Sequence, residues 1–209
     1  GKYVRILGFV ASANVMIIYI YAASFYPFKG YEIIVSAYYY GGEVLIKSSK
    51  TSVLIVTEDA TTHSAKTLNK YYSSQPEAIV VLGGENAVSK YGKLNIDCKN
   101  VYLAMQIPVQ PYKNTTVHYE QSFSIAGVEY EFEDNYSISF TADGIKVCVC
   151  AGALIPYKNA DIIISSYPAP DCNSLNKIYF NLTEYPHNVK ECGDFRFKIK
   201  NGILKSADL

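Results

Sequence analysis

The chain has 209 residues, 49% of them hydrophobic, with 19 Lys and Arg balancing 19 Asp and Glu. This length supports one domain with a real core and a small appendage, and the apolar content excludes disorder. Neutrality excludes an overall field that would recruit nucleic acid or an anionic membrane.

Residues Ile6 to Phe28, "ILGFVASANVMIIYIYAASFYPF", run for 23 positions without a charge. At about 1.5 Å per residue they make about 34 Å of helix, enough to cross a bilayer. Lys2 and Arg5 precede the run, and Tyr19, Tyr21 and Tyr26 cluster toward its far end. The positive-inside bias then places the N-terminus in the cytoplasm and the bulk of the chain outside. An uncleaved signal peptide, with "IYAAS" as a weak cleavage site, and a buried core helix are the rival readings. The expected organisation is a transmembrane helix over 1–29 and an extracytoplasmic domain over 30–209. Because the first residue is Gly, a piece of a longer protein or an incomplete gene model is expected.

After Pro27 the pattern becomes strand-like: "YEIIVSAYYY" (31–40), "EVLIKSS" (43–49) and "TSVLIVT" (51–57), broken at Gly41-Gly42 and around Ser49-Lys50. "TTHSAKTLNKYYSSQ" (61–75) has helical character, with Ala65, Leu68 and Tyr72 on one stripe and Pro76 ending it. Strand "AIVVL" (78–82) runs into Gly83-Gly84, followed by a short helix near Ala87 to Tyr91 and strand "NVYLA" (100–104). In the second half, "FSIAGVEYEFE" (123–133) turns at Ala126-Gly127, and "YSISFTADGIKVCVCAG" (136–152) is a hairpin with Asp143-Gly144 at its tip. "ADIIISS" (160–166), "NKIYFNL" (176–182) and "FRFKIKNGILK" (195–205), turning at Asn201-Gly202, complete the chain. Twenty Tyr residues and no Trp fit this β-rich pattern, because Tyr suits strands and half-wet surfaces. The expected fold is α+β and β-rich, a two-sheet sandwich with few covering helices.

Chemistry-bearing residues are sparse. His63, His118 and His187 lie far apart, with no His or Cys at ligand spacing. Cys148 and Cys150 share one face of a strand and read as buried thiols, with a vicinal metal pair as the alternative. Cys172 and Cys192 flank the last strands, and a pairing between them is open. The turn after "AIVVL" holds Glu85, Asn86 and Ser89, where α/β and β-rich enzymes often place their chemistry. Gly83-Gly84 is not a phosphate loop, since no Lys-Ser/Thr follows it. Glu58-Asp59 and Glu131, Glu133, Asp134 read as solvated acidic loops, with weak calcium binding as the alternative. Basic residues concentrate late, at Lys190, Arg196, Lys198, Lys200 and Lys205. Arg196, Lys198 and Lys200 alternate with Phe195, Phe197 and Ile199, which gives one basic and one apolar face. That face is either a solvated outer strand or a phosphate-contacting surface.

In its order of elements and hydrophobic pattern, nearly the whole chain resembles the end of the ComEC-type competence proteins, where a metallo-β-lactamase-like domain follows membrane helices. "AYYYGGEVLI", Ala37 to Ile46, stands where that family writes "DVGQGDSVLI", and "SVLIVTED", Ser52 to Asp59, where it has a strand ending in "IDGG". "VVLGGENAVSKYG" replaces the ligand-bearing "VLTHPDADHIGG". "NYSISFTADGIKVCVCAGA", Asn135 to Ala153, keeps the Asn and Ser of "N..SLVL…LLTGD" and loses its Asp. In "NADIIISSYPAP", Ala160-Asp161 match "ADVLKVGHHGS", while the His pair falls on Tyr167 and Pro168. The resemblance implies a reduced metallo-β-lactamase-like sandwich behind a membrane helix, in a protein for DNA uptake. It makes Gly83, Gly84, Glu85 and Asn86 a former metal loop, emptied of ligands, so a non-catalytic domain without cofactor is expected. Expected partners are the membrane, further spans upstream of Gly1, and single-stranded DNA met weakly and without sequence preference at Lys190, Arg196, Lys198, Lys200 and Lys205. The alternatives are a hydrolase working through His118, His187 and the Cys148–Cys150 pair, and a membrane-tethered extracellular module unrelated to DNA.

Overall fold

A computed structural model describes residues 30–38, 41–57, 75–87, 96–104, 106, 115–153, 159–168, 176–180, 189 and 194–206. The uncharged run Ile6 to Phe28, the expected helix over 61–75 except for Gln75, and His63, Cys172, His187, Lys190 and Cys192 lie outside the described residues. Among those described, no helix is long and apolar enough to cross a membrane.

Fourteen strands are described: β1 (Tyr31–Tyr38), β2 (Gly41–Lys47), β3 (Ser52–Val56), β4 (Ala78–Val81), β5 (Asn100–Leu103), β6 (Thr116–His118), β7 (Ser122–Ile125), β8 (Val128–Asp134), β9 (Ser137–Ala142), β10 (Ile145–Cys150), β11 (Ile162–Ser165), β12 (Asn176–Tyr179), β13 (Phe195–Lys200) and β14 (Ile203–Ser206). They form two sheets, one in the order β14-β13-β1-β2-β3-β4-β5-β6 and the other β12-β11-β10-β9-β8-β7. The fold is thus the expected β-rich two-sheet sandwich. β6 is an addition: three residues ending at His118, too short to show a period of two, pair parallel to β5.

The burial pattern explains the layering. In β8, Val128, Tyr130 and Phe132 are buried while Glu129 and Glu131 are exposed, the alternation of a strand with one wet face. β3 and β4 are buried along their whole length. Their residues divide between two clusters: Val53, Ile55, Ala78 and Val80 join the core between the sheets, while Leu54, Val56, Ile79 and Val81 join a second core on the outer face of the larger sheet. Rings carry the inter-sheet core to one side, where Tyr102 of β5 stacks on Phe123 of β7 at 3.7 Å between centroids and Phe123 on Tyr130 at 5.0 Å.

Strand direction defines two ends. β3 to β6 run parallel, as do β10 to β12, and their C-terminal ends meet at one end of the sandwich, the mouth. At the other end, the base, lie the hairpin turns Ala126-Gly127, Asp143-Gly144 and Asn201-Gly202, with both residues of each turn at positive φ. This is the geometry whose twist suits a two-residue hairpin. The base is tied across the sheets: the Tyr31 hydroxyl donates to the Ala126 carbonyl at 3.4 Å, and the Asn201 N–H donates to the Asp143 carboxylate.

Candidate functional site

At the mouth, β4 is followed by Leu82, whose N–H donates to the Val56 carbonyl at 2.9 Å. Gly83 follows at φ 133°, a conformation that favours glycine. Its N–H donates across to the other sheet, to the Asn135 carbonyl at 2.7 Å. Gly84 opens a helical turn over residues 85–87, closed by Ala87 N–H on the Gly84 carbonyl at 3.0 Å; Glu85 and Asn86 are exposed.

The second sheet supplies a tight turn. One Asp134 carboxylate oxygen accepts from the Tyr136 N–H and from the Ser137 hydroxyl, each at 2.7 Å. This aims Tyr136 at the glycines of both sheets. A Cβ on Gly84 would lie 3.2 Å from the Tyr136 hydroxyl, and one on Gly152 would lie 2.8 Å from Tyr136 Cβ. The Ala151 N–H donates to the Tyr136 carbonyl at 2.7 Å. Deeper, Phe180 is wholly buried beside Gly42, held by its N–H on the Ser165 carbonyl at 3.0 Å. The Gly42 N–H donates to Thr57 Oγ1 at 2.8 Å.

Comparison with solved structures finds the metallo-β-lactamase fold protein YhfI from Bacillus subtilis, with a TM-score of 0.50 and 16% identity over 66% of this chain and 71% of that one. The chain has the metallo-β-lactamase fold. A Thermotoga maritima protein of the metallo-β-lactamase superfamily also matches, with a TM-score of 0.39 and 13% identity over 76% of this chain and 83% of that one. No protein-family profile and no curated protein matches the chain.

The fold's name implies a metal, and the residues described at this mouth do not fit one. The turn after β4 offers one carboxylate, Glu85, and one amide, Asn86. The Gly83 N–H is committed to Asn135, and Tyr136 stands against Gly84. Among the described residues no three His, Cys, Asp or Glu side chains come together. Tyr136 is the mouth residue that sequence reasoning missed; "DNYS" reads as any polar turn, and only sheet packing sets its ring against the glycines.

The alternative hydrolase set is not assembled among the described residues. His118 sits on the edge strand β6, its ring stacked on Tyr102 at 4.6 Å, with Nε2 3.1 Å from Asn100 Oδ1 and Nδ1 3.8 Å from Glu120 Oε1. Cys148 and Cys150 are fully buried, as expected of core thiols. They alternate with Val147 and Val149, which face the inter-sheet core, so both thiols lie on the outer face of the smaller sheet. His118 belongs to the larger sheet and does not converge with them.

The late basic residues alternate as the sequence indicates. Phe197 and Ile199 enter the core, while Arg196, Lys198 and Lys200 take the outer face of the larger sheet. Lys198 lies directly opposite both Lys205 and Glu32, and Glu32 pairs with Lys47 at 3.4 Å. Strand pairing thus adds Lys47 to the row. This face lies toward the base, away from the mouth.

Proposed function

We propose that the chain is a non-catalytic metallo-β-lactamase-like domain, held outside the cell membrane by its N-terminal segment, in a ComEC-type membrane protein for DNA uptake in natural competence. The observation that carries the non-catalytic part is the mouth. Its two sheets are joined by the Gly83–Asn135 hydrogen bond, and Tyr136 stands where the loop after β4 meets the loop after β10. A hydrolytic metal centre needs several converging ligands beside an open position, and among the described residues no three His, Cys, Asp or Glu side chains converge. The ordered correspondence with the ComEC-type segments, from Ala37 to Pro170, supports the family and the pathway. In this role the domain is a scaffold around the path of DNA.

The full chain, incubated with Zn²⁺ or Mn²⁺, should carry no stoichiometric metal by elemental analysis and hydrolyse neither phosphodiester nor lactam above the buffer rate. In the source organism, disrupting the gene should abolish transformation, and a Glu85→Ala/Asn86→Ala copy should restore it. Stoichiometric metal together with hydrolysis that Glu85→Ala removes would reject the non-catalytic reading. Unchanged transformation after disruption would reject the pathway.

A further inference from the structure

The geometry points to the base of the domain, at the tip of the β13–β14 hairpin, as a docking surface for an anionic lipid bilayer. The inference rests on the reading of Ile6 to Phe28 as a membrane span. Only Lys29 separates that run from Gly30. Gly30 and Tyr31 line a cleft of about 540 Å³ together with Lys50 and Asn201, the first residue of the β13–β14 turn. The hairpin tip therefore stands beside the point where the apolar run joins the domain, and a chain leaving a bilayer there holds the tip at the headgroups.

The tip has the composition such a surface needs. On the outer face, Lys200 lies opposite Ile203 and Lys198 opposite Lys205. Ile203 is 57% exposed, the most exposed of the large hydrophobic side chains described. An apolar side chain framed by lysines suits the interface, where the apolar group enters the headgroup layer and the ammonium groups meet lipid phosphates. With Lys47 and Lys50, the described residues of the corner include five lysines and the carboxylates of Glu32 and Asp143. Glu32 is engaged by Lys47 at 3.4 Å and Asp143 by the Asn201 N–H. Nucleic acid offers the same phosphates, but the place of Gly30 favours the bilayer.

The chain has no Trp, so Ile203→Trp creates a single reporter. The full-length variant is reconstituted into vesicles with and without phosphatidylglycerol. Trp emission should shift to the blue only in the anionic vesicles, be quenched there by brominated lipid, and return toward the aqueous value in high salt. Each surface lysine contributes about fivefold to partitioning onto an anionic bilayer. Lys198→Glu/Lys200→Glu/Lys205→Glu should therefore lower the docking equilibrium constant about a hundredfold or more and abolish the shift. Identical emission in the two bilayers overturns the inference. So does a shift on adding single-stranded DNA to the detergent-solubilised chain, when anionic lipid gives none. Retention through an alkaline wash tests the span separately: loss from the vesicles with the anionic shift intact rejects the span and keeps the docking surface.

Discussion

The ring of Phe180 and the backbone of Gly42 occupy adjoining space at the mouth: a Cβ on Gly42 would overlap the ring and come within 2.6 Å of the Ser36 carbonyl oxygen. Phe180 follows β12 at an edge of the smaller sheet, and Gly42 belongs to β2 in the larger, so this pair locks one sheet to the other. Gly42→Ala should cost about 3 kcal/mol or more by overpacking, and Phe180→Ala about 3–5 kcal/mol by opening a cavity. The double variant should cost less than the sum, because the first substitution partly fills the space the second vacates. Urea unfolding of the four proteins measures this, and strictly additive costs would show that the two residues do not share the space.

Gly152 and Gly84 should respond differently to alanine. At Gly152 the new Cβ meets Tyr136 Cβ at 2.8 Å, close to the backbone, whereas at Gly84 it meets only the far, hydroxyl end of that side chain at 3.2 Å. Gly152→Ala should cost about 1–3 kcal/mol, and Gly84→Ala less than about 1 kcal/mol. Equal costs in thermal melts would contradict the placement of Tyr136.

The cross-turn bond at the base should also be measurable. Asp143 adopts φ 50°, a conformation that Asp tolerates better than Ala, and its carboxylate accepts from the Asn201 N–H. Asp143→Ala should lose about 1–2 kcal/mol. Hydrogen exchange at Asn201 should quicken selectively, and unchanged protection there would show that the carboxylate does not hold the turn.

Stability should fall at high pH. Burial raises the Tyr130 phenol far above its usual 10.0, with Tyr31 adding to the effect. Tyr102 is raised as well, first by burial and then by Glu120 and Glu77. A phenol raised on folding contributes stability that is fully present below its unfolded pKa, near 10, and is lost as pH climbs through the folded value. The loss attributable to Tyr130 should approach about 1.4 kcal/mol per pH unit above pH ~10. Tyr130→Phe should flatten that slope while changing little at neutral pH. An unaltered alkaline slope in denaturant titrations would refute the assignment.

Much of the sandwich was legible because strands and tight turns are written locally. "VEYEFED" alternates apolar and charged residues and lies with Val128, Tyr130 and Phe132 inward; Asp143-Gly144 and Asn201-Gly202 form the turns their chemistry favours. The position of the candidate site could be read from an apolar strand running into Gly83-Gly84. What fills that site depends on partners far away in the chain. Gly83 meets Asn135, Gly152 meets Tyr136 and Gly42 meets Phe180, pairs that only the packing of one sheet on the other brings together. The same holds for β13, which pairs with β1 across Tyr31↔Ile199 and so sets Lys198 beside Glu32 and Lys47. The sequence by itself determined which residues form strands, where they turn and which face of each is apolar, because those properties depend on neighbours a few positions apart. Tertiary structure alone decided which strands became neighbours, in what register, and therefore which side chains meet at the mouth and which lysines share a face, because register is set by the meeting of apolar faces from distant segments.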